Sequence, residues 1–192
     1  MVGTRYLAPE TVVASLGLSD RASVFEDPDQ LERRVLKMGG VEAVRVARRL
    51  PGTLVVRVSE AEPVALVAGR EGLVPVDAEG RRLPFDPAAA PVDVPVVPRI
   101  EPGVLQVLAA LQSADPGLFG EVAAARRRGD AVVLELSEGW VLMAPPVSAE
   151  LARSVSAVRR DLAARRLEWR GLDARFRGWV VVRRAAARRG AG

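Results

Sequence analysis

The sequence predicts an α+β chain in two parts. Three observations carry this. Two short capped helices precede a long β-hairpin over residues 41–60. A run of short strands separated by turn glycines follows from about residue 62. Two longer helical stretches, 103–114 and 149–166, then lie among further strands. A 192-residue chain with 49% hydrophobic residues has enough apolar material for real cores.

The first helix is expected from Ala8 to about Leu16. Pro9 suits its first turn, Glu10 complements its N-terminal dipole and Gly17 stops it. The second begins after Asp27 as N-cap, with Pro28 at the first position and Gln30 completing a capping-box pattern. Its stripe is Leu31, Val35 and Met38, and Gly39-Gly40 ends it. Residues 23–26 read as a short connection between the two. In the hairpin, Val44 and Val46 alternate with Arg45 and Ala47, and Val56 and Val58 alternate with Val55 and Arg57. Leu50-Pro51-Gly52-Thr53 predicts a type II turn with Gly52 at positive φ.

Past Glu62, strands are expected at Pro63–Val67, Leu73–Val76 and Arg82–Phe85, split by turns at 69–72 and 77–80. The prolines from Pro84 to Pro102 exclude regular helix between them. Gly103–Ala114 carries a helical stripe of Val104, Leu105, Leu108 and Leu111. A second hairpin joins Ala131–Leu136 to Trp140–Met143. Ser148 caps a helix with Leu151, Val155, Val158 and Leu162 inward, and its arginines lie largely on other faces. Leu167–Phe176 and Trp179–Arg183 read as the last strands, and residues 185–192 as a disordered basic tail.

Composition removes several chemistries. The chain has no cysteine and no histidine, which excludes disulfides, Cys/His zinc sites and His-dependent nucleophilic catalysis. No Walker or GxGxxG spacing is present. Glu60 and Glu62 read as solvated carboxylates at a strand end, and Asp173 with Arg175 as a structural ion pair. No catalytic, cofactor or metal residue is therefore assigned. Charge is uneven: residues 1–150 hold 16 basic and 21 acidic residues, and residues 151–192 hold 12 and 3. Such a basic end suits an acidic protein, an anionic membrane surface or nucleic acid, or is simply a solvated helix face and tail. Arg126-Arg127-Arg128 reads as a basic flank of a helix end. No nucleic-acid-binding motif accompanies these arginines, and none is assigned as a partner.

The stretch Val44 to Ala65 resembles the pattern V-x-R-x-L-P-G-T-L-x-V-x-V-x-E-x-x-P-V-A of the FtsQ/DivIB family of bacterial division proteins. Val76-Asp77-x-x-Gly80, Val92-Asp93-Val94-Pro95-Val96 and Leu172-Asp173-Ala174-Arg175-Phe176 followed by Val180-Val181-Val182-Arg183 resemble later family motifs, in the family's order. The resemblance spans Gly3 to about Arg183. It implies a POTRA domain over 1–61 lacking most of its first strand, a β domain over 62–184 with helices on an antiparallel sheet, and the tail 185–192. It further implies a membrane-anchoring helix upstream of Met1, with this segment on the periplasmic or extracytoplasmic side at the septum. The membrane is met only through that helix.

By the same resemblance the chain is a non-enzymatic divisome scaffold. Its partners are FtsB-like and FtsL-like proteins, with other division proteins met through the POTRA hairpin 41–60 and helix 28–38. The implied site is the last strand, receiving a partner strand along Phe176, Arg177, Gly178, Trp179, Val180, Val181 and Val182, with Arg159 and Arg160 from the preceding helix. The alternatives are a POTRA-containing component of outer-membrane assembly or secretion, and a basic nucleic-acid-binding module.

Overall fold

The computed structural model describes residues 4–18, 26–70 and 72–184. The expected connection at 23–25 and the tail at 185–192 lie outside the described residues. Helices α1 (Pro9–Ser15) and α2 (Pro28–Leu36) precede the hairpin of β1 (Val41–Arg49) and β2 (Thr53–Glu60). Pro stands in the first turn of both helices, and the Asp27 side chain accepts from the Asp29 N–H. Leu31 and Val35 of α2 are buried against Val44, Val46, Val56 and Val58, which share one face of the hairpin because strand side chains alternate. The turn differs from the sequence expectation. Gly52 does not take positive φ and Leu50–Pro51 is cis, so the chain reverses without the left-handed residue of a type II turn.

The remaining strands form one sheet in the order β10-β9-β8-β7-β6-β5-β3-β4. These are β3 (Ala65–Ala68), β4 (Leu73–Val76), β5 (Val96–Val97), β6 (Ala124–Arg128), β7 (Ala131–Leu136), β8 (Gly139–Met143), β9 (Gly171–Asp173) and β10 (Val181–Arg183). The α+β class and the helix-on-sheet packing agree with the sequence reading, but the sheet is mixed rather than antiparallel. β3–β5, β5–β6 and β8–β9 pair in parallel. For β5–β6 and β8–β9 the cause is connectivity. Helices α3 (Pro102–Ala114) and α4 (Pro116–Gly120) join β5 to β6, and α5 (Ala149–Ala164) joins β8 to β9. A strand reached through a helical crossover returns parallel to its neighbour.

Both crossovers lie on the same side. Leu105, Leu108 and Leu111 of α3 and Val155 and Leu162 of α5 pack against Val132, Leu134, Val141, Met143 and Leu172 of the sheet. A fully buried leucine of this kind is worth about 1.5–3 kcal/mol. The other side carries a smaller cluster of Ala131, Val133 and Leu142 with Trp140 beside it. Gly171 is required there: a Cβ at that position meets the Trp140 ring at 2.3 Å.

Several elements differ from expectation. Arg126–Arg128 stand on β6, not at a helix end. Leu167–Arg170 lie outside any strand, and β9 is only three residues long. Arg82 makes a single bridge to Val76 instead of opening a strand.

The two sheets meet around the N-terminal segment. The Glu60 carboxylate accepts the backbone N–H groups of Arg5, Tyr6 and Leu7 at 3.0, 2.8 and 2.9 Å. The Tyr6 ring stacks on Phe85, with centroids 4.4 Å apart. Gly40, at φ +81, lets Pro84 approach to where a Cβ would meet it at 2.9 Å.

Candidate partner-binding edge

Among the described residues β10 ends the larger sheet and pairs only with β9, through Val181–Asp173, Val182–Leu172 and Arg183–Gly171. No described strand lies on its other side, so it offers backbone donors and acceptors to an incoming chain. The segment that delivers β10 is shaped by one buried carboxylate. Asp173 is 1% exposed. It accepts from the Nε and Nη2 of Arg175, both at 2.9 Å, and stands 3.6 Å from the Arg183 guanidinium. Hydrogen bonding from Arg175 holds the Asp173 carboxyl below its ordinary range, against the opposing effect of burial. Gly178 at φ +78 and a 3.0 Å bond from Trp179 N–H to the Phe176 carbonyl then close a tight turn.

That turn pushes large side chains outward. Trp179 is 75% exposed, Phe176 50% and Val181 43%. Arg177 and Gly178 are exposed beside them. Val180 and Val182 are half-buried and pack on the core, so they anchor the segment. A cleft of about 530 Å³ runs between this turn and the start of α5, where Glu150, Leu151 and Ser154 face Phe176 and Trp179.

Of the nine residues expected in the site, Phe176 to Val180 line this cleft, and Val181 and Val182 follow on β10. Arg159 and Arg160 are elsewhere. They line a second cleft of about 770 Å³ with Asp115, Glu121 and Glu138. The Arg159 side chain is only 13% exposed and is engaged internally: its Nε donates to Glu138 at 2.9 Å, and its Nη2 reaches both Glu138 and Glu121. Arg159 therefore ties α5 to the β7–β8 turn and to the end of α4. Burial raises the Glu138 pKa, but hydrogen bonds from Arg159, its own backbone N–H and Ser137, with the Arg159 charge, together outweigh it, and the carboxyl titrates below its usual range. Arg160 is exposed. Its charge helps hold Asp115 low, together with bonds from Ser156 and Leu118 that overcome burial.

The sequence reading did not include Glu150, Leu151 or Ser154 in the site. The signal available was spacing, since 150 and 154 share a helix face. Among the described residues no group of three or more acidic side chains could hold a metal, and no helix is long and apolar enough to cross a membrane.

Residues 1–61 match the family model described as "POTRA domain, FtsQ-type". The chain is 25% identical over 177 residues to the cell division protein DivIB of Geobacillus kaustophilus (strain HTA426), covering 81% of this chain and 68% of that protein. Both similarities agree with the FtsQ/DivIB resemblance read from the sequence. The FtsQ-type match takes in α1, α2 and the β1–β2 hairpin, and it ends just past Glu60. The similarity to DivIB is too long to be confined to that match.

Proposed function

We propose that this chain is a non-enzymatic scaffold of the bacterial cell-division machinery that recruits FtsB-like and FtsL-like partners at the septum by strand addition to β10. The observation that carries this is the position of β10. Among the described residues it is the last strand and the end of its sheet, with Phe176, Trp179 and Val181 exposed beside it. Strand addition takes affinity from main-chain hydrogen bonds and selectivity from alternate side chains. Exposed tryptophan beside arginine is the composition of interface centres. The cleft toward α5 gives a partner that continues past the strand a second surface. On this reading the segment works on the extracytoplasmic side of the cell membrane. It performs no turnover: its output is the local concentration of partners.

The test is a titration of the chain with the extracytoplasmic segment of the same organism's FtsB-like protein, alongside Phe176→Ala and Trp179→Glu variants. Saturable binding lost in both variants, with thermal midpoints unchanged, supports the assignment. Unaltered binding in both variants moves the site off β10. A folded chain that does not bind at all overturns the recruitment of this partner.

A further inference from the structure

The β1–β2 hairpin has one face that α2 leaves uncovered. The hairpin carries Arg45, Arg48, Arg49 and Arg57, and its acids, Glu42 and Glu60, stand at its base, away from the tip. Val44, Val46, Val56 and Val58 are buried on the helix side. The opposite face therefore presents Arg45, Ala47 and Arg49 on β1 beside Arg57, Val55 and Thr53 on β2. Arg45 and Arg57 are direct cross-strand partners. Like charges placed so are unfavourable to the sheet, so the pair works against the fold unless an anion meets it. Among the described residues the acid in contact with this face is Glu32, whose Oε2 is 3.4 Å from Arg45 Nη1; that Arg45 side chain remains 85% exposed. At the tip, Leu50 is 92% exposed, the most exposed large apolar side chain among the described residues. Arg49, Pro51 and Gly52 around it are exposed as well.

We propose that the distal end of this hairpin docks on an anionic lipid bilayer, with Leu50 entering the headgroup region and Arg45, Arg49 and Arg57 meeting lipid phosphates. Shape decides between a bilayer and an acidic protein segment. A peptide gains from an apolar residue by lying in a groove that buries it, and Leu50 stands on a projecting turn with almost none of its surface covered. A bilayer surrounds a projecting side chain from every direction. The nine-residue β1 places the tip roughly 25–30 Å from the hairpin base, at about 3.3 Å per residue. The basic face leads up to that tip, so one orientation satisfies both the leucine and the arginines. This surface is separate from β10, and the inference does not depend on strand addition there.

The test is co-sedimentation of the whole chain with phosphatidylcholine vesicles, with and without phosphatidylglycerol. Binding is expected only with the anionic lipid, and to weaken as salt rises. The Arg45→Gln/Arg49→Gln/Arg57→Gln variant should lose roughly fivefold in partitioning for each arginine removed. Leu50→Ser should lose roughly tenfold at constant charge. The charge-matched variant Arg153→Gln/Arg160→Gln/Arg170→Gln should lose far less. Removing the Arg45/Arg57 repulsion leaves the fold at least as stable, which thermal midpoints check. Equal losses in the two triple variants, unchanged binding by Leu50→Ser, or no binding to anionic vesicles each overturns the proposal. Hairpin-dependent capture of polyglutamate without vesicle binding also overturns it, and assigns the face to an acidic protein.

Discussion

Gly171→Ala tests whether β9, which carries the edge strand, owes its position to Trp140. The added methyl carbon would lie 2.3, 2.4 and 2.7 Å from three atoms of the Trp140 indole. Comfortable carbon–carbon contact is about 3.5–4.0 Å, so the overlap exceeds an ångström and the ring must move. Trp140 lies against Ala131, Val133 and Leu142, and displacing it uncovers that cluster. Overpacking of this kind costs about 1–3 kcal/mol. The overlap is with a rigid ring at three atoms, which places the cost at the upper end. In a chain of this size about 3 kcal/mol lowers the thermal midpoint by roughly 6–12 °C. The three tryptophans, Trp140, Trp169 and Trp179, all lie beyond the β1–β2 hairpin, so their fluorescence reports unfolding of the larger sheet alone. Trp140→Leu should recover much of the loss when combined with Gly171→Ala, a coupling of at least about 1 kcal/mol in a double-mutant cycle. An unchanged midpoint for Gly171→Ala, or strict additivity, refutes the contact.

Acid should weaken the fold through Asp173, Asp115 and Glu138, whose folded pKa values are all lowered. A depressed carboxylate pKa adds stability that is complete above the unfolded value of about 4 and is lost as pH falls through the lower folded value. Midpoints of wild type and Asp173→Asn should therefore differ at neutral pH and converge below pH 4. Arg159→Ala should cost only roughly 1 kcal/mol, because Glu121 and Glu138 are partly solvated and screened. Salt should shrink that cost, and partner affinity should be unaffected, as measured by denaturant unfolding and titration. Tyr6→Ala removes the stack on Phe85, worth about 0.5–1.5 kcal/mol beyond its area. Hydrogen exchange should accelerate around residues 41–60 and stay unchanged in β7 and β8.

The legible parts of the fold were those with local chemistry. Asp27-Pro28 and Ala8-Pro9 announce helix starts, and the alternation of Val44, Val46, Val56 and Val58 fixes the hairpin. β6 was illegible because three consecutive arginines erase the period-two pattern; pairing with β7 makes it a strand, supported by the Arg126–Glu135 ion pair. Helix α4 was hidden by Gly117 and Gly120, although Pro116 and the Asp115 cap on Leu118 N–H were readable signals. The parallel pairings β5–β6 and β8–β9 follow from strand–helix–strand order, which periodicity alone does not weigh. At the candidate site, Phe176 and Trp179 are apolar and read equally well as core. Only the order of strands places them at an edge. Arg159 lay beyond reach for another reason: its partners are 21 and 38 residues away in sequence.

The shortness of β10 determines how an edge of this kind can recognise anything. The opposite edge of the sheet is partly closed: Arg82 bridges Val76, and Leu83 N–H reaches the Pro75 carbonyl. In the hairpin, Glu32 accepts the Val46 N–H. Among the described residues β10 has no such cover, but its short length and the charge of Arg183 limit unwanted pairing, as short and charged edges do. The same shortness limits the main-chain hydrogen bonds available to a true partner. Under the proposed strand addition, the three residues of β10 then leave the apolar turn and the cleft beside α5 to supply more of the affinity than main-chain pairing does. Trp179, three-quarters exposed, has far more surface to bury than Val181. Under the proposed strand addition, Trp179→Ala should weaken FtsB-like partner binding by tenfold or more, since burial of a large side chain is worth about 1.5–3 kcal/mol. Val181→Ala should weaken it only severalfold. The reverse ranking in a titration would mean that strand pairing dominates and that the turn is a bystander.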